Sequence, residues 1–489
     1  MEDNNQDKPH AIMVPCPFQG HIVPFIHLAI KLASKGFSIT FINKEKIHHQ
    51  ITKASLDQDP KTSTQDDIFT EARKSGLEIH YATISDGFPL GFDRFLNSDQ
   101  FLHGLLDVFS AHVDDLVGRI VNRESRISCL IADTFFVWPS MIANKYNLVN
   151  VSFWTQPALA FTLDYHLDLL RINGHYACHD NREDAIDYIP GVEGIEPKDL
   201  PSYLQAPNTT TVERRIVHKS VFEDVKKADF VICNAVEELE PKTISALQEK
   251  QPFYPIGPIF ALNGFTMNTV ATSLWSESDC THWLQAKPHG SVLYVSFGSI
   301  ACCSREEIAE MAHGLLLSEV SFIWVLRPDI MGSYDNDILP VRFKDEIKDR
   351  GLVVPWSCQI SVISHPTVGG FLTHCGWNSV LESIWFNVPM LCYPVFTDQI
   401  TNRKLVVDDW KIGLNLCDRK PIRRDEIAEK INRLMSGKST NDLRKNMEQI
   451  KEKVEHAISS VGSSEKNFNQ FIGDLKVRIS KVACIRVKG

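Results

Sequence analysis

Residues 356–399 contain the largest group of side chains in this chain that could bind a ligand. The segment begins with the flat ring of Trp356 and continues through the apolar run VGGFL into a polar, glycine-containing turn at 374–379. The apolar-periodic run that follows predicts a helix beginning near Gly376. The first N–H groups of such a helix, and the positive end of its dipole, would point toward the turn. This combination favours the binding of a phosphate group.

Carboxylate and amide side chains complete the same segment. Glu382 lies on the predicted helix, and Asp398 and Gln399 follow PMLCYPVF, which we predict to be the next strand. A carboxylate can accept hydrogen bonds from two hydroxyl groups at once, and hydrogen bonds to charged groups are the stronger ones. The segment therefore offers a ring for stacking, a cradle for phosphate and groups that bind hydroxyls.

A second set of candidates lies much earlier in the chain. His21 follows the first predicted strand at the start of a helix, and Asp133 ends the strand CLIAD. Taken separately, each fits an ordinary capping or surface residue better than a functional one. Together they follow strands of one predicted parallel sheet, whose carboxyl ends converge on one crevice, where a carboxylate can fix the tautomer of an imidazole. The pair then predicts a general base.

The end of the run VNVSFWT falls on the same side of the predicted sheet. Trp154 and Thr155 stand there, and ligand-binding groups of such sheets gather at the carboxyl ends of the strands. For Trp154, packing in the core is the simpler interpretation. Thr155 is the candidate for a binding contact.

Short apolar runs alternate with helical patterns along the first half of the chain. The predicted strands cover 11–15, 37–43, 77–84, 129–133, 149–155 and 230–234. Helical periodicity fills the gaps, as at 22–33 and 101–121. This alternation predicts an α/β fold with a doubly wound parallel sheet.

The second half repeats the alternation. Strands are predicted at 291–297, 321–326 and 351–355, and Ser304 with Glu307 forms a capping box before a helix at 305–317. The small-residue loop FGSI after the first of these strands fits a tight turn or a close approach to a diphosphate equally well. We therefore expect two Rossmann-like domains: an N-terminal domain at 1–255, a linker at 256–275, a C-terminal domain at 276–460 and a last helix within 461–489.

The composition and the motifs of the chain argue against several classes of protein. The chain has 489 residues and a net charge of −10, which argues against a nucleic-acid partner. Its first ten residues are acidic and polar, no apolar stretch is long enough to span a membrane, and twelve Cys are scattered without CxxC pairs. We expect a cytoplasmic protein with reduced thiols and no integral membrane association. No GxGxxG, P-loop, GxSxG or HExxH motif is present.

The segment 356–399 closely resembles the 44-residue signature of the plant secondary-product UDP-glycosyltransferases, with its initial Trp, central HCGWNS and terminal acid–Gln pair. The resemblance extends over nearly the whole chain, through PFQGHIVPFIHLAIKL, CLIAD, FWT, YVSFGS and SSEKNFNQFIGDL. Departures are modest: Asn387 stands where the family usually has Gly, the opening reads WSCQ, and Asp398 replaces a frequent Glu. None of these removes a functional group from the signature.

The resemblance implies the GT-B architecture, in which two facing Rossmann-like domains bind the acceptor mainly through the first and the nucleotide sugar through the second. The last helix would cross back onto the first domain. His21 would be the catalytic base and Asp133 its partner. The residues expected to bind the UDP-sugar are Trp356 and Gln359 for uracil, Glu382 for ribose, Ser299, His374, Asn378 and Ser379 for the diphosphate, and Trp377, Thr155, Asp398 and Gln399 for the sugar.

This resemblance leads us to expect an inverting, UDP-glucose-dependent glycosyltransferase that gives β-glucosides, acts as a monomer and needs no metal or other cofactor. Loops at 84–105 and 171–220, rich in Phe, Leu and His, favour a small apolar acceptor such as a flavonoid, phenolic or terpenoid. Two alternatives stay open, because fold alone does not fix function. They are a UDP-sugar epimerase or hydrolase, and a non-catalytic UDP-sugar-binding protein.

Overall fold

The structure of the chain is a computed structural model. It describes residues 8–58, 67–94, 97–124, 127–178, 182–205, 220–261, 273–330, 339–417, 421–436 and 441–486. These residues form two compact units. The first comprises the described residues within Met1–Pro197, Tyr203–Leu274 and His456–Gly489, and the second those within Lys198–Ser202 and Trp275–Glu455.

The first unit is built on a seven-stranded parallel sheet with the order β3-β2-β1-β4-β5-β6-β7. Its strands are β1 (His10–Val14), β2 (Ser38–Lys44), β3 (Ile79–Ile84), β4 (Ile127–Asp133), β5 (Val149–Trp154), β6 (Phe230–Cys233) and β7 (Phe253–Pro255). The strand order reverses beside β1, so the carboxyl ends of β1 and β4 adjoin the switch point where such sheets bind ligands.

Helices follow the strands of this sheet. The described ones are α1 (Gln19–Ser34), α2 (Glu45–Gln58), α3 (Thr70–Lys74), α4 (Ser98–Leu106), α5 (Val108–Arg123), α6 (Pro139–Lys145), α7 (Ala158–Tyr165), α8 (Leu167–Ile172) and α9 (Pro241–Gln248), with 3₁₀ turns at Pro197–Asp199 and Ser202–Leu204. Gly36 follows α1 with a φ of 88°, a left-handed conformation that glycine adopts without strain.

The C-terminal helix belongs to this first unit. Phe468, Phe471 and Leu475 are fully buried in the hydrophobic core around α1 and the sheet. Lys31 of α1 forms an ion pair with Glu465 at 2.9 Å. A segment at the end of the chain thus completes the core of its beginning.

The second unit has a six-stranded parallel sheet with the order β10-β9-β8-β11-β12-β13. Its strands are β8 (Val292–Ser296), β9 (Ser321–Val325), β10 (Gly351–Val354), β11 (Val368–Thr373), β12 (Met390–Cys392) and β13 (Gly413–Asn415). Its described helices are α10 (Thr281–Gln285), α11 (Arg305–Ser318), α12 (Phe343–Ile347), α13 (Gln359–Ile363), α14 (Trp377–Trp385), α15 (Gln399–Lys404) and α16 (Arg424–Met435), with a 3₁₀ turn at Lys348–Arg350 and a π-helical turn at Leu405–Asp409. Two further helices, α17 (Asn441–Ala457) and α18 (Ser463–Arg486), end the chain, and α17 runs across the boundary between the units.

The doubly wound parallel sheets agree with the sequence prediction, and three local features differ from it. The helix predicted at 101–121 is two helices that meet at Asp107. The strand predicted over PMLCYPVF is only three residues long, because its end turns into a loop that Gln399 holds. The strands β7 and β13, each of three residues, escape the periodicity analysis because so short a run shows no period.

The two units also extend differently from the predicted domains. The first unit reaches Leu274, and Lys198–Ser202 groups with the second unit. The predicted linker at 256–275 and the predicted loops at 171–220 and 84–105 lie partly outside the described residues.

Candidate functional site

His21 and Asp133 meet in the first unit. His21 lies in the first turn of α1 and Asp133 ends β4, and the Nδ1 atom of His21 is 2.9 Å from Oδ2 of Asp133. Asp133 is 1% exposed and also accepts the backbone N–H groups of Cys16 at 3.1 Å and Phe135 at 3.0 Å. Because an ionised carboxylate only accepts, Nδ1 of His21 carries the proton and Nε2 keeps a lone pair.

Thr155 belongs to the same cluster. Its Oγ1 atom lies 3.2 Å from Nδ1 of His21, and the residue is 2% exposed. Sequence resemblance predicts a contact of Thr155 with the sugar of the donor. The structure shows a threonine that helps to fix the imidazole, and the role in sugar binding stays a prediction.

Aromatic rings surround His21. Phe135 approaches it edge-on with ring centroids 5.0 Å apart, and Phe18 lies at 6.1 Å. Phe18 in turn contacts Phe101 of α4. Trp154, interpreted from the sequence as a core residue, is fully buried and stacks on Phe135 at 5.5 Å. A polar dyad in apolar surroundings is suited to an apolar molecule that carries a hydroxyl group.

In the second unit, the turn between β11 and α14 has the predicted form. Gly376 is the N-cap residue of α14 and has no side chain to accept from the N–H groups of the first turn. Cys375 adopts a left-handed φ of 64°, which is uncommon for a residue other than glycine. Asn402 holds this conformation by donating to the carbonyl of Cys375 at 2.9 Å. The strained turn thus fixes the position of the N-terminus of α14, whose free backbone N–H groups are suited to bind an anion.

His374 fits tightly between two glycines of this region. A Cβ atom on Gly298 would come within 2.6 Å of its imidazole, and one on Gly376 within 2.5 Å. Burial, and next the positive charge of Arg327, lower the pKa of His374 to about 4. A hydrogen bond to the backbone of Ser296 opposes this shift, and the imidazole is neutral at physiological pH.

Arg327 organises the loop after β8. It is 2% exposed, its guanidinium contacts the carbonyl oxygen of Gly298 and donates to that of Ala301 at 3.0 Å, and it pairs with Asp329 at 2.9 Å. Ser299, the predicted diphosphate contact, is half-buried inside the loop that Arg327 holds.

Glu382 lies on α14 and is 8% exposed. Gln359 donates through Nε2 to Glu382 at 2.7 Å and to the hydroxyl of Ser379 at 2.9 Å. Burial raises the pKa of Glu382 to about 7, and the hydrogen bond from Gln359 opposes that rise. Gln359, predicted to lie beside a uracil, thus also positions the carboxylate predicted to bind ribose.

Trp356 follows β10 and is 9% exposed. Its ring packs against Trp275 with centroids 4.6 Å apart and an interplanar angle of 37°. A base that stacks on Trp356 would use the ring face opposite Trp275.

The residues predicted to bind the sugar differ in their burial and in their contacts with other side chains. Trp377 is 4% exposed and packs on Trp410 at 6.2 Å, so its backbone N–H at the start of α14 is the part suited to a ligand. Asp398 accepts from Asn402 at 2.7 Å and from the hydroxyl of Thr397 at 3.0 Å.

Gln399 uses its side-chain carbonyl to hold the backbone N–H groups of Val395 and Phe396 at 3.0 and 3.1 Å. Its amide N–H groups remain the chemically suitable donors to a hydroxyl. Asn378, the second residue of α14, is half-buried.

Arg327 and Asn402 were not among the predicted site residues, whereas Gly298 lies in the FGSI loop that the sequence marks as a tight turn or a diphosphate contact. Arg327 stands two residues after β9, where the rule that binding groups gather at carboxyl ends of strands could have found it. Asn402 carries no such signal, because its importance comes from a contact with Cys375, which is distant in sequence.

None of the helices in the described ranges is long and apolar enough to cross a membrane. Within those ranges, no group of three or more His, Cys, Asp or Glu side chains is arranged to hold a metal ion.

Comparisons with known proteins agree with this fold. A sequence model described as UDP-glucoronosyl and UDP-glucosyl transferase matches residues 258–448. The chain belongs to the plant UDP-glycosyltransferase family, and its two Rossmann-like domains have the GT-B architecture of that family.

Particular relatives cover nearly the entire chain. It is 58% identical to UDP-glycosyltransferase 86A1 of Arabidopsis thaliana over 99% of this chain and 98% of that protein. It is 35% identical to 7-deoxyloganetin glucosyltransferase of Gardenia jasminoides, with 95% and 97% covered. Among solved structures, Phytolacca americana UGT2 complexed with UDP-2fluoro-glucose and pterostilbene has a TM-score of 0.75 and 27% identity, covering 96% of this chain and 100% of that one.

Proposed function

We propose that this UDP-glycosyltransferase is an inverting enzyme that transfers glucose from UDP-glucose to a hydroxyl group of a small apolar plant metabolite and gives a β-glucoside. The observation that carries the proposal is the 2.9 Å hydrogen bond between Nδ1 of His21 and Asp133. A relative that is 35% identical is named a glucosyltransferase, which supports glucose as the sugar.

In the proposed reaction, Nε2 of His21 takes the proton of the acceptor hydroxyl while the oxygen forms a bond to the anomeric carbon. The bond between that carbon and the diphosphate oxygen breaks, and UDP leaves with the electron pair. Asp133 stabilises the imidazolium that forms. Because a single displacement occurs, the configuration at the anomeric carbon inverts.

The second unit would bind the donor and stabilise the leaving group. Negative charge develops on the diphosphate, and the N-terminus of α14 together with the neutral imidazole of His374 can receive it. Trp356, Gln359 and Glu382 would hold the nucleoside, as the family resemblance implies. The backbone N–H of Trp377, with Asp398 and the amide of Gln399, would hold the sugar hydroxyls.

The surroundings of His21 support an apolar acceptor. Phe18 and Phe135 flank the imidazole, and Phe88, Phe92 and Phe101 form a further aromatic group beside Phe18. Rings of this kind favour the flat or hydrophobic body of a phenolic, flavonoid or terpenoid.

The test is incubation of the purified protein with UDP-glucose and a mixed library of phenolic, flavonoid and terpenoid alcohols, with mass-spectrometric detection of hexosides and NMR assignment of the anomer. We expect β-glucosides, and a loss of roughly 10²-fold or more in turnover for His21→Ala. The matched control is His49→Ala, which alters an exposed histidine of the same unit. Near-normal turnover of His21→Ala, or an α-glucoside product, would contradict the mechanism.

Incubation with UDP-glucose alone separates the two alternatives. An epimerase or hydrolase would change UDP-glucose without an acceptor. A non-catalytic binding protein would bind UDP-glucose and give no product with any member of the library. Transfer only in the presence of an acceptor supports the proposed function over both.

A further inference from the structure

Lys44, the last residue of β2, is a fully buried charged side chain beside the dyad. Its Nζ atom contacts the carbonyl oxygen of Pro15. The same atom lies 4.5 Å from the ring centroid of Phe109 and 5.1 Å from that of Phe136. A buried ammonium is costly, and an apolar side chain would fill the same space at lower cost. We therefore looked for a function of the positive charge of Lys44.

A short chain of contacts joins Lys44 to His21. Pro15 precedes Cys16, whose backbone N–H donates to Oδ2 of Asp133 at 3.1 Å. The same carboxylate oxygen accepts from Nδ1 of His21 at 2.9 Å. Lys44 thus holds the backbone that holds the carboxylate, and the carboxylate orients the imidazole.

We propose that Lys44 is a positioning residue for the His21–Asp133 pair. Its ammonium fixes the Pro15–Cys16 backbone and offsets part of the electrostatic effect that the Asp133 carboxylate has on the His21 imidazole. The inference rests on the proposed function of His21 as the general base. A carboxylate beside an imidazole increases its affinity for protons, and a cation nearby decreases it.

The titratable groups that face Lys44 follow or end three strands. Asp133 ends β4, Asp86 follows β3, and the thiol of Cys16 follows β1; Phe109 of α5 and the ring of Phe136 carry no charge. Arg94 binds Asp86 through two hydrogen bonds of 2.7 and 2.8 Å and neutralises much of its charge.

The protonation states of these groups agree with the proposed role. Burial lowers the pKa of Lys44 to about 8, and its interactions with Cys16, Asp133 and Asp86 oppose that shift. Burial also raises the pKa of the Cys16 thiol. At neutral pH the lysine is therefore mostly charged and the thiol is not.

The test compares Lys44→Met, which removes the charge at similar volume, with Lys44→Arg, which keeps it. NMR of histidine-labelled protein follows the titration of His21, whose signal is assigned by its absence in His21→Ala. We expect the His21 titration to move to higher pH by about half a unit or more in Lys44→Met and to stay near the wild-type position in Lys44→Arg. Titration curves of wild type and Lys44→Met that superimpose would overturn the proposal.

Two further measurements keep the result decisive. Lys44→Gln can still donate to Pro15 but carries no charge, so it replaces the methionine variant if that variant does not fold. Loss of folding in both would also overturn the proposal, because Lys44 would then be a determinant of stability rather than of positioning. Since the titration requires no acceptor, failure of the proposed function is detected separately, as normal turnover by His21→Ala.

Discussion

At the scale of single residues, two histidines in this chain acquire opposite properties from their surroundings. His21 donates to a buried carboxylate, so its second nitrogen is basic and positioned to take a proton. His374 is packed between two glycines near Arg327, and burial keeps it neutral with a pKa of about 4. The first is suited to a base, and the second to a neutral hydrogen-bond donor to an anion. Residue type alone distinguishes neither role.

Glu382 gives a prediction at the same scale. Burial raises its pKa to about 7, so a growing fraction of the carboxyl group is protonated as the pH falls below neutral. Ribose hydroxyls would donate to the ionised form, so the affinity for UDP-glucose should rise as the pH increases through 7 and level off above it. Glu382→Gln should lose roughly tenfold or more in affinity above pH 7, from the strength of hydrogen bonds to charged groups, and should show a flatter pH dependence.

Calorimetric titration with UDP-glucose between about pH 6 and pH 8 measures the pH dependence of the affinity. UDP-glucose is the ligand to use, since the terminal phosphate of UDP itself ionises near pH 6. Glu429→Gln, an exposed change on α16, is the control and should behave as wild type. A Glu382→Gln protein with wild-type affinity across this range would remove Glu382 from the donor site.

At the scale of elements, the proposed donor site consists of strand ends and helix starts held by side chains from other elements. The turn before α14 depends on Asn402 of α15, and Asn402 is held by Asp398 at 2.7 Å. The loop after β8 depends on Arg327, which follows β9. Each strand end thus owes its conformation to a neighbouring element, so the sheet order matters for function as well as for stability.

Replacement of Arg327 tests whether the loop after β8 depends on a neighbouring strand. Arg327→Met removes the guanidinium that contacts the carbonyl groups of Gly298 and Ala301 and pairs with Asp329. We therefore expect a loss of about 3–5 kcal/mol in the stability of the second unit, as for other broken buried ion pairs. UDP-glucose affinity should fall about tenfold or more, because the loop carrying Ser299 loses its support. Arg327→Lys keeps the charge but not the forked geometry and should be intermediate.

Chemical denaturation and calorimetric binding measure these effects, with Arg423→Met at an exposed position as the control. Wild-type stability together with wild-type affinity in Arg327→Met would show that the loop holds its conformation without the guanidinium.

At the scale of the whole molecule, the end of the chain stabilises its beginning. Phe471 of α18 is fully buried, 6.0 Å from Phe230 and 5.6 Å from Tyr254 between ring centroids. Tyr254 also donates to Asp474 at 2.7 Å. The unit that contains His21 is therefore complete only when the last helix is in place.

Phe471→Ala should destabilise the first unit by about 3–5 kcal/mol, the usual cost of removing a buried ring. We expect faster loss of transferase activity on heating, while UDP-glucose binding survives longer, because all the proposed donor residues except Thr155 belong to the second unit. Val477→Ala on the same helix is the control, since Val477 is 55% exposed. Simultaneous loss of activity and binding in Phe471→Ala would show that the two units unfold as one.

Patterns in the sequence predicted the alternation of strands and helices, the capping box at Ser304, the glycine at the start of α14 and the convergence of His21 with Asp133, 112 positions apart. These features follow from local periodicity and from the rule that ligand sites form at carboxyl ends of parallel strands. Even so, the rule places residues at an edge and does not say which side chains touch.

The contacts between side chains became visible in the folded chain. It placed Thr155 against His21, Gln359 against Glu382, and the ring of Trp377 against Trp410. It also brought the charges of Lys44 and Arg327 to the loops that they hold. The physical reason is that strand order and side-chain packing, set by the whole chain at once, decide which distant residues meet, and no local pattern in the sequence records that choice.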